Sequence, residues 1–390
     1  MPKKLLFVCN DFIGNAMAGP GIRYWEMARA LERKGHSAAI LSRHLEEGFS
    51  GNITFVGKAS LFNLIRWIWR SDYVVQTGRP LSILLTFLFR KKSIFDQYDP
   101  VIFEFLEQKP VGWAEKLRLR VMLFLWKARQ RLILRWGQQF LVANEKQKDL
   151  LIGQLTILGH VDKLASVTVM PFGLPDVKPR KNRSVLRGSK IRDTDFLLVW
   201  GGGIWDWFDP FTLLMALSKL KEQRDDIKVY FPGINPPSPD TRKMTVTDAF
   251  LTEARSLGLL ATSVFVNDGW TAYADRADYL LEADAGITLH RDSLETRFAF
   301  RTRVLDYLWA GLPIIASQGD SWAEVIDRKG LGIIVAPGDV DGLVNAIEKL
   351  AGDGLLRKRC SESVQAVAKD YAWNKLTESL KGLRINNLNK

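Results

Sequence analysis

Short apolar runs alternate with amphipathic stretches along the whole chain of 390 residues. The runs have the length of buried strands and the stretches between them have helical spacing, so the pattern predicts parallel sheets whose strands are joined by helices. Strands are predicted over residues 5–9, 38–42, 73–77, 93–96 and 139–143 in the first half. Further strands are predicted over 196–200, 228–231, 264–266, 285–289, 313–316 and 332–335 in the second half. The expected fold is α/β with two Rossmann-like halves.

The two halves are predicted to meet near residues 169–175, where the sequence Met-Pro-Phe-Gly-Leu precedes a basic, polar stretch that continues to Arg192. Such a change of composition is typical of a boundary between domains. We therefore predict an N-terminal domain over 1–172 and a C-terminal domain over 173–365. A final helix over 366–390 is expected to pack back toward the N-terminal domain.

The composition, with 47% hydrophobic and 25% charged residues, is that of a globular protein large enough for two well-buried domains. Two cysteines are too few for a disulfide scaffold and favour a reducing compartment. The first apolar run is too short for the core of a signal peptide, and basic residues interrupt each apolar stretch before the roughly 20 residues that cross a bilayer. We expect a cytoplasmic protein without a membrane span.

A net charge of +12 predicts an anionic partner, which could be nucleic acid, a phospholipid surface or a phosphorylated substrate. Half of the excess, seven basic residues against one acid, lies between residues 115 and 135. Helical spacing places the basic side chains of this segment on one stripe and its apolar side chains on another. The apolar stripe contains Trp113, Leu117, Val121, Phe124, Leu132 and Trp136.

A basic amphipathic helix flanked by tryptophans is typical of an element that lies in the interface of an anionic membrane. This interpretation places the protein peripherally on the inner face of the membrane, with a second candidate contact around residues 62–70. The alternative is a domain helix whose apolar side faces the core, and the sequence leaves both open. The predicted membrane contacts are Trp113, Lys116, Arg120, Trp126, Lys127 and Arg131.

Residues 301–315 predict a loop, a short helix and a buried strand that together suit an anion. Arg301 and Arg303 precede the helix, Asp306 lies in its first turn, and Gly311 can close its far end. The free N–H groups of a helix start favour phosphate, arginine adds bidentate donors, and a carboxylate can accept from ribose hydroxyls. The segment therefore predicts a nucleotide diphosphate site. The competing interpretation is a helix cap beside solvated arginines.

In each half a glycine turn follows the first predicted strand. The two turns are Gly19-Pro20-Gly21 and Gly201-Gly202-Gly203. Glycine allows a backbone to approach a ligand closely. The first turn lacks the full dinucleotide-binding spacing, and the second strand is followed by Arg43 where NAD-binding proteins carry an acid. A nicotinamide dehydrogenase is therefore disfavoured.

Four features in this order resemble the glycosyltransferases of the GT-B fold, specifically the large retaining family four. They are the first glycine turn with the helix up to Gly35, the interdomain segment 170–174, the second glycine turn, and the block 303–315. The resemblance implies two Rossmann-like domains that face each other across a cleft. It implies a nucleotide-sugar donor in the C-terminal half, an acceptor in the N-terminal half, and transfer of the sugar to an acceptor hydroxyl with retention.

Many members of that family bind the donor with two glutamates eight residues apart. Asp306 matches the second of these, whereas Phe298 occupies the first position. A subgroup has a basic residue three positions before the second acid, which Arg303 fits, and Glu295 is a candidate for the displaced carboxylate. The resemblance therefore carries over only one half of the two-glutamate motif.

The family usually places Arg and Lys after the second glycine turn to neutralise the diphosphate, but Gly203 and Phe208 stand there in this chain. The resemblance then assigns that charge to arginines elsewhere and to backbone N–H groups of the turn. The donor-binding candidates are Gly19, Gly21, Gly202, Gly203, Asp206, Trp270, His290, Arg291, Glu295, Arg301, Arg303 and Asp306. The catalytic candidates are Asp99, Arg301 and Arg303.

Several of these assignments have structural alternatives. Asp206 is expected to touch the donor sugar or the acceptor, and a purely structural role is equally open. Trp270 lies where the family holds the nucleotide base, with core packing as the competing interpretation. Asp99, with Asp96 close behind, is the candidate for the acid or histidine that many relatives carry on the acceptor side. No cofactor or metal is expected, because the Asp-x-Asp pattern at 193–195 precedes a strand instead of following one.

The charge and the tryptophan-flanked helix suggest an acceptor on a lipid, as in the assembly of envelope polysaccharides or lipid-linked glycans. Two rival functions remain. A GT-B-fold sugar-nucleotide epimerase shares the same two-domain architecture and needs no acceptor. A catalytically silent nucleotide-binding subunit of a glycan-assembly complex would explain the missing Arg and Lys. A nucleic-acid binder would explain the charge but not the glycine turns.

Overall fold

The computed structural model describes residues 2–49, 53–107, 112–234, 245–267 and 269–382. The chain divides into two compact units. The first consists of Met1–Gly173 with Ala372–Lys390, and the second consists of Leu174–Tyr371.

The first unit contains a seven-stranded parallel sheet in the order β3-β2-β1-β4-β5-β6-β7. Its strands are β1 Lys4–Cys9, β2 Ser37–Ser42, β3 Phe55–Lys58, β4 Tyr73–Gln76, β5 Lys92–Asp96, β6 Gln139–Val142 and β7 Val167–Val169. The five predicted strands are confirmed to within one residue at each end. The two edge strands were not predicted, because each is short and only partly buried, so neither has the apolar run of a central strand.

The connections between these parallel strands contain helices, which pack on the sheet. They are α1 Gly19–Arg33, α2 Leu61–Arg70, α3 Pro80–Leu88, α4 Val101–Glu107, α5 Gly112–Trp136 and α6 Glu145–Ile157. Local chemistry sets several of their ends. The side chains of Ser60 and Asn144 accept hydrogen bonds from the first turns of α2 and α6, and Pro20 and Pro80 stand in the first turns of α1 and α3.

The second unit contains a six-stranded parallel sheet in the order β10-β9-β8-β11-β12-β13. Its strands are β8 Phe196–Val199, β9 Ile227–Phe231, β10 Val264–Val266, β11 Ala285–Thr288, β12 Ile314–Ser317 and β13 Gly332–Val335. All six were predicted. Its helices are α7 Pro210–Lys221, α8 Thr245–Ser256, α9 Arg276–Leu280, α10 Leu294–Phe298, α11 Arg303–Ala310, α12 Ser321–Lys329, α13 Val340–Gly352 and α14 Gly354–Ala368.

The last described helix, α15 (Trp373–Gly382), belongs to the first unit and packs against α1. Trp373 is fully buried, and its ring lies so close to Gly173 that a β-carbon there would approach it to 2.6 Å. Lys34 at the end of α1 donates hydrogen bonds to the Asn374 carbonyl and the Thr377 hydroxyl, each at 2.8 Å.

Each sheet reverses its strand order once, between β1 and β4 in the first unit and between β8 and β11 in the second. Loops diverge at the carboxyl ends of the strands on either side of such a point, which leaves a crevice where α/β proteins bind their ligands. This topology brings the loop after β8, which contains the glycine turn, beside the loop after β11.

Candidate functional site

The glycine turn of the second unit is held by a tyrosine from α11. Gly202 adopts the left-handed conformation, with φ of +73°, which glycine tolerates without strain. The N–H of Gly201 donates to the Tyr307 hydroxyl at 2.8 Å, and that hydroxyl donates to the Ile287 carbonyl at 2.7 Å. The ring lies against Gly286, where a β-carbon would come within 2.3 Å of it. Tyr307 therefore ties the turn after β8 to strand β11.

Arg303, the first residue of α11, packs against the same turn. Its guanidinium lies 3.8 Å from the centre of the Phe208 ring, and its Nη2 donates to the Gly203 carbonyl at 2.7 Å. Nη1 is buried and has no hydrogen-bond partner among the described residues. Burial lowers the pKa of this guanidinium to about 9, because the charged form has lost its hydration. An anion next to Nη1 would satisfy that donor and stabilise its charge.

Arg301 forms a buried ion pair with Glu295. Nη1 and Nη2 of the arginine donate to the two carboxylate oxygens at 2.8 and 2.6 Å, and Nη2 also lies 3.2 Å from the Thr296 hydroxyl. Both oxygens of Glu295 are thus used within the protein, and its charge offsets that of Arg301. Nε of Arg301 is buried without a hydrogen-bond partner in the described parts of the chain.

His290, the second residue after β11, and Asp320, in the loop after β12, are fully buried side by side. Nε2 of the histidine lies 3.5 Å from a carboxylate oxygen of Asp320, which is also 4.0 Å from Nε of Arg301. The other carboxylate oxygen accepts from two N–H groups at the start of α12. Burial raises the pKa of Asp320, but His290, Arg301 and these N–H groups outweigh it and hold that pKa below its usual range. Asp320 was missed, although it follows a buried strand at the same sheet edge.

Asp306 is paired with an arginine that the sequence did not single out. Nε of Arg276 donates to its carboxylate at 3.1 Å, and the guanidinium lies 3.6 Å from the Tyr273 ring centre and 4.2 Å from that of Trp309. The Asp306 side chain keeps 31% of its surface exposed, so the carboxylate is fixed in orientation and still reachable. Burial raises its pKa, and Arg276 opposes this rise.

Asp206 and Arg291 connect loops of the second unit. The Asp206 carboxylate accepts from the Val246 N–H at 3.2 Å and the Thr245 hydroxyl at 3.3 Å, which caps α8. Nη2 of Arg291 donates to the Asp206 carbonyl at 2.8 Å. These contacts match the structural role that the sequence left open for Asp206.

Trp270 is partly buried and lies over two glycines, at 3.4 Å from the β-carbon position of Gly203 and 3.1 Å from that of Gly233. Its ring therefore stands beside the glycine turn. Near the ends of β8, β11 and β12 the structure brings together nine of the predicted donor-site residues: Gly202, Gly203, Asp206, Trp270, His290, Arg291, Glu295, Arg301 and Arg303.

The remaining predicted site residues lie in the first unit. Gly19 begins α1, and at Gly21 a β-carbon would be 2.3 Å from the Phe12 carbonyl oxygen, so only glycine fits. Asp96 is buried and receives two hydrogen bonds from Arg23, at 2.7 and 2.9 Å, so its carboxylate is committed to the interior.

Asp99 lines a cavity of about 190 Å³ at the carboxyl ends of β1, β4, β5 and β6. Asn10, Tyr98, Trp126 and Arg129 contribute to its wall. Nδ2 of Asn10 donates to the Thr77 hydroxyl, while its buried Oδ1 has no partner among the described residues. Amide, carboxylate and aromatic groups together can bind a polar, ring-shaped ligand.

The outer side of α5 carries the predicted membrane contacts. Trp113 is 79% exposed and Phe124 is 69% exposed, while Leu117 and Val121 are about half exposed, so this part of the apolar stripe does not pack in the core. Trp136, at the end of the stripe, packs against buried residues of the first unit. Lys116, Arg120, Lys127 and Arg131 are also exposed. Trp126 instead faces the cavity around Asp99, and Arg129 turns inward to donate to the Thr77 and Gly78 carbonyls. None of the described helices is both long and apolar enough to span a bilayer.

The second unit matches a known family. Residues 197–353 match the family model described as "Glycosyl transferases group 1". A stretch of 126 residues is 27% identical to the chitobiosyldiphosphodolichol beta-mannosyltransferase of Arthroderma benhamiae. That stretch covers 31% of this chain and 27% of the relative, so it spans only about a quarter of that protein.

Solved structures are similar over nearly the whole chain. WaaG, a glycosyltransferase involved in lipopolysaccharide biosynthesis, superposes with a TM-score of 0.66 at 16% identity, covering 98% of this chain and 99% of WaaG. HepE from Anabaena, in complex with UDP and glucose, gives 0.66 at 12% identity, covering 97% and 98%. Such identities establish the fold alone. The chain has the GT-B fold and resembles the family-four glycosyltransferases, and its residues 197–353 match the group 1 glycosyl transferase model.

Proposed function

We propose that this protein transfers a sugar from a nucleotide diphosphate sugar to an acceptor hydroxyl, with retention at the anomeric carbon. The observation that carries the proposal is the position of Arg303, a buried cation beside the left-handed glycine turn whose Nη1 has no partner among the residues that the structure describes. This arrangement lies at the crossover of a sheet whose sequence matches group 1 glycosyltransferases. A diphosphate is a ligand that such a site would stabilise.

In the proposed reaction, leaving-group charge develops on the diphosphate and is stabilised by Arg303 and by backbone N–H groups of the glycine turn. Arg301 contributes through Nε, because Glu295 occupies its other two nitrogens. Asp306, oriented by Arg276, accepts from the ribose hydroxyls. Asp99 orients the acceptor in the cavity of the first unit. The reaction is proposed to need no metal and no other cofactor.

The test is nucleotide release from a panel of UDP-, GDP- and TDP-sugars, with and without a lipid-linked acceptor. UDP-glucose is the first donor to try, because HepE has been solved with UDP and with UDP-glucose. Release should rise with acceptor and fall at least tenfold in Arg303→Gln, while Arg224→Gln, which removes a cation in contact with Asp226, should match wild type. NMR of the product anomer decides retention.

The same assay separates the rival functions. An epimerase would convert the donor sugar without acceptor and without releasing nucleotide. A catalytically silent subunit would bind nucleotide but release none from any sugar donor. Either result contradicts the proposed transfer.

We further propose that the acceptor is lipid-linked and that the outer side of α5 contacts an anionic membrane. The proposal is supported by the exposed apolar stripe with adjacent cations, a combination suited to the headgroup region. Each cation near such a surface contributes about 1 kcal/mol, so the triple change of Lys116, Arg120 and Lys127 to Gln should weaken binding to phosphatidylglycerol vesicles roughly 100-fold. Cosedimentation measures this.

The matched control removes the same charge from exposed positions of the second unit, by changing Arg255, Lys329 and Lys358 to Gln. Binding should then change little. Equal losses in the two triple variants would mean that net charge, and not α5, governs the association.

A further inference from the structure

Three neighbouring helices of the first unit expose large apolar side chains. α2 packs beside α3, and α3 packs beside α5. Of the 22 large apolar side chains that are exposed in the described ranges, 13 lie on these three helices, a concentration beyond the scattered exposure that is normal on a protein surface. They are Leu61, Phe62, Ile65 and Trp69 on α2, Leu81, Leu84, Phe87 and Leu88 on α3, and Trp113, Leu117, Val121, Phe124 and Leu125 on α5.

A cavity of about 200 Å³ lies between α3 and the end of α5, apart from the cavity around Asp99. The rings of Phe87 and Trp136 stack on each other in its wall, with their centres 4.6 Å apart. Arg90 is exposed at the rim, while the buried part of the lining is mixed, with Ile83 and Phe95 beside Thr86 and Ser93, so the cavity runs from a cationic rim to a partly apolar floor. It is larger than the roughly 150 Å³ apolar cavity that holds a benzene molecule.

The rim is built on an unusual backbone conformation. After α3, the N–H of Arg90 donates to the Phe87 carbonyl and the N–H of Lys91 donates to the Thr86 carbonyl, both at 3.0 Å. This hydrogen-bond pattern ends many helices and normally has glycine in the left-handed position. Arg90 holds that position with φ of +51°, one of two non-glycine residues with positive φ in the described chain. Glycine would hold this conformation without strain, which indicates that the arginine side chain has a role of its own at this position.

We propose that this cavity binds one anionic phospholipid, with its phosphate on Arg90 and Lys91 and its first acyl carbons against the apolar side chains of the cavity lining. A guanidinium offers paired donors to phosphate, and aromatic rings beside it suit the level of the headgroups. Ile83 and Phe95 offer apolar surface that the start of an acyl chain can cover and a free phosphate ion cannot. This inference rests on the membrane contact proposed above and adds a specific lipid site to it.

The test uses dihexanoyl phosphatidylglycerol below its micelle concentration, with binding followed by NMR chemical shifts. Wild type should bind it saturably, and dihexanoyl phosphatidylcholine and inorganic phosphate should each bind at least tenfold more weakly. Arg90→Gly should weaken phosphatidylglycerol binding at least tenfold although it relaxes the backbone. Arg70→Gln removes one exposed charge from α2, outside the cavity, and should bind like wild type.

A second variant tests the apolar part. Ser93 lines the cavity, so Ser93→Leu fills space without changing charge and should also weaken binding at least tenfold. If it unfolds, Gln138→Trp at the exposed side of the cavity replaces it. Equal binding of inorganic phosphate, or equal losses in Arg90→Gly and Arg70→Gln, would overturn the lipid site. Wild type that binds the soluble lipid but no vesicles would overturn the α5 contact and leave the cavity supported.

Discussion

The Tyr307 hydroxyl stands between Gly201 and Ile287, accepting from the N–H of one at 2.8 Å and donating to the carbonyl of the other at 2.7 Å. One phenol thus joins the glycine turn after β8 to strand β11, across the point where the sheet reverses. The buried turn has few other ways to be held, because glycine contributes no side chain. Tyr307 is therefore a positioning residue for the candidate donor site.

Tyr307→Phe should lower the free energy of unfolding by about 1–3 kcal/mol, because a buried N–H and a carbonyl lose their partner. It should also raise the donor KM more than it lowers kcat, since the turn is loosened before the reaction begins. The control is Tyr24→Phe, which removes a buried hydroxyl that has no hydrogen-bond partner among the described residues. Urea unfolding and donor kinetics measure both. Equal destabilisation by the two variants would contradict the bridging role.

Arg303 predicts a dependence of nucleotide binding on pH. Its pKa near 9 means that the guanidinium is charged below that pH and loses its proton as the pH rises through 9, so attraction for the diphosphate is lost on the alkaline side. Affinity for UDP should be steady between about pH 7 and 8 and fall above 9. Calorimetry gives the UDP affinity of wild type and of Arg303→Gln at each pH. The difference between the two affinities cancels the ionisation of the uracil base, which affects both proteins equally. An unchanging difference up to pH 10 would refute the prediction.

The ion pair of Arg301 and Glu295 predicts a strong asymmetry between single and double substitutions. Glu295→Gln removes the nearer of two carboxylates beside a buried guanidinium, leaving Asp320 at 4.0 Å, and should cost about 3 kcal/mol of stability. Replacing both residues, as Glu295→Leu with Arg301→Met, should recover much of that loss. Denaturant unfolding of Glu295→Leu, Arg301→Met and the double variant measures the coupling. Additive losses would mean that the two residues do not stabilise each other.

Asp306 is predicted to read the ribose. Asp306→Asn should weaken UDP binding roughly tenfold, about 1.4 kcal/mol, because a charged acceptor is worth more than a neutral one. Wild type should also bind the 2′-deoxy or the 3′-deoxy nucleotide less tightly than UDP, and the variant should lose that discrimination. Calorimetry measures the binding of UDP and of the two deoxy nucleotides to wild type and to Asp306→Asn, which gives the coupling between the carboxylate and each ribose hydroxyl. Equal discrimination by wild type and variant would show that the carboxylate does not contact the ribose.

The central strands were predictable because a strand that is buried on both faces has a continuous apolar run, and such a run can be seen in the local sequence. The edge strands β3 and β7 were not predictable, because they are only partly buried and have no continuous apolar run. Gly311 was predicted as the end of α11 and does adopt φ of +73° there. Arg276, Asp320 and Tyr307 were missed, because each acts on a residue that is distant in sequence or belongs to another loop.

The sequence by itself determined the α/β class, both glycine turns and the stretch of chain that holds the candidate donor site, because periodicity and turn chemistry act between near neighbours. Only the tertiary structure decided how the charges are distributed. It pairs Arg301 with Glu295 and Asp306 with Arg276, and leaves a nitrogen of Arg303 without a partner in the described residues. It likewise leaves the first part of the apolar stripe of α5 exposed and packs Trp136, at its end, against the core. The spacing of apolar residues identifies one face of a helix, but what covers that face depends on packing between distant segments. The same packing decides which carboxylate pairs with which guanidinium.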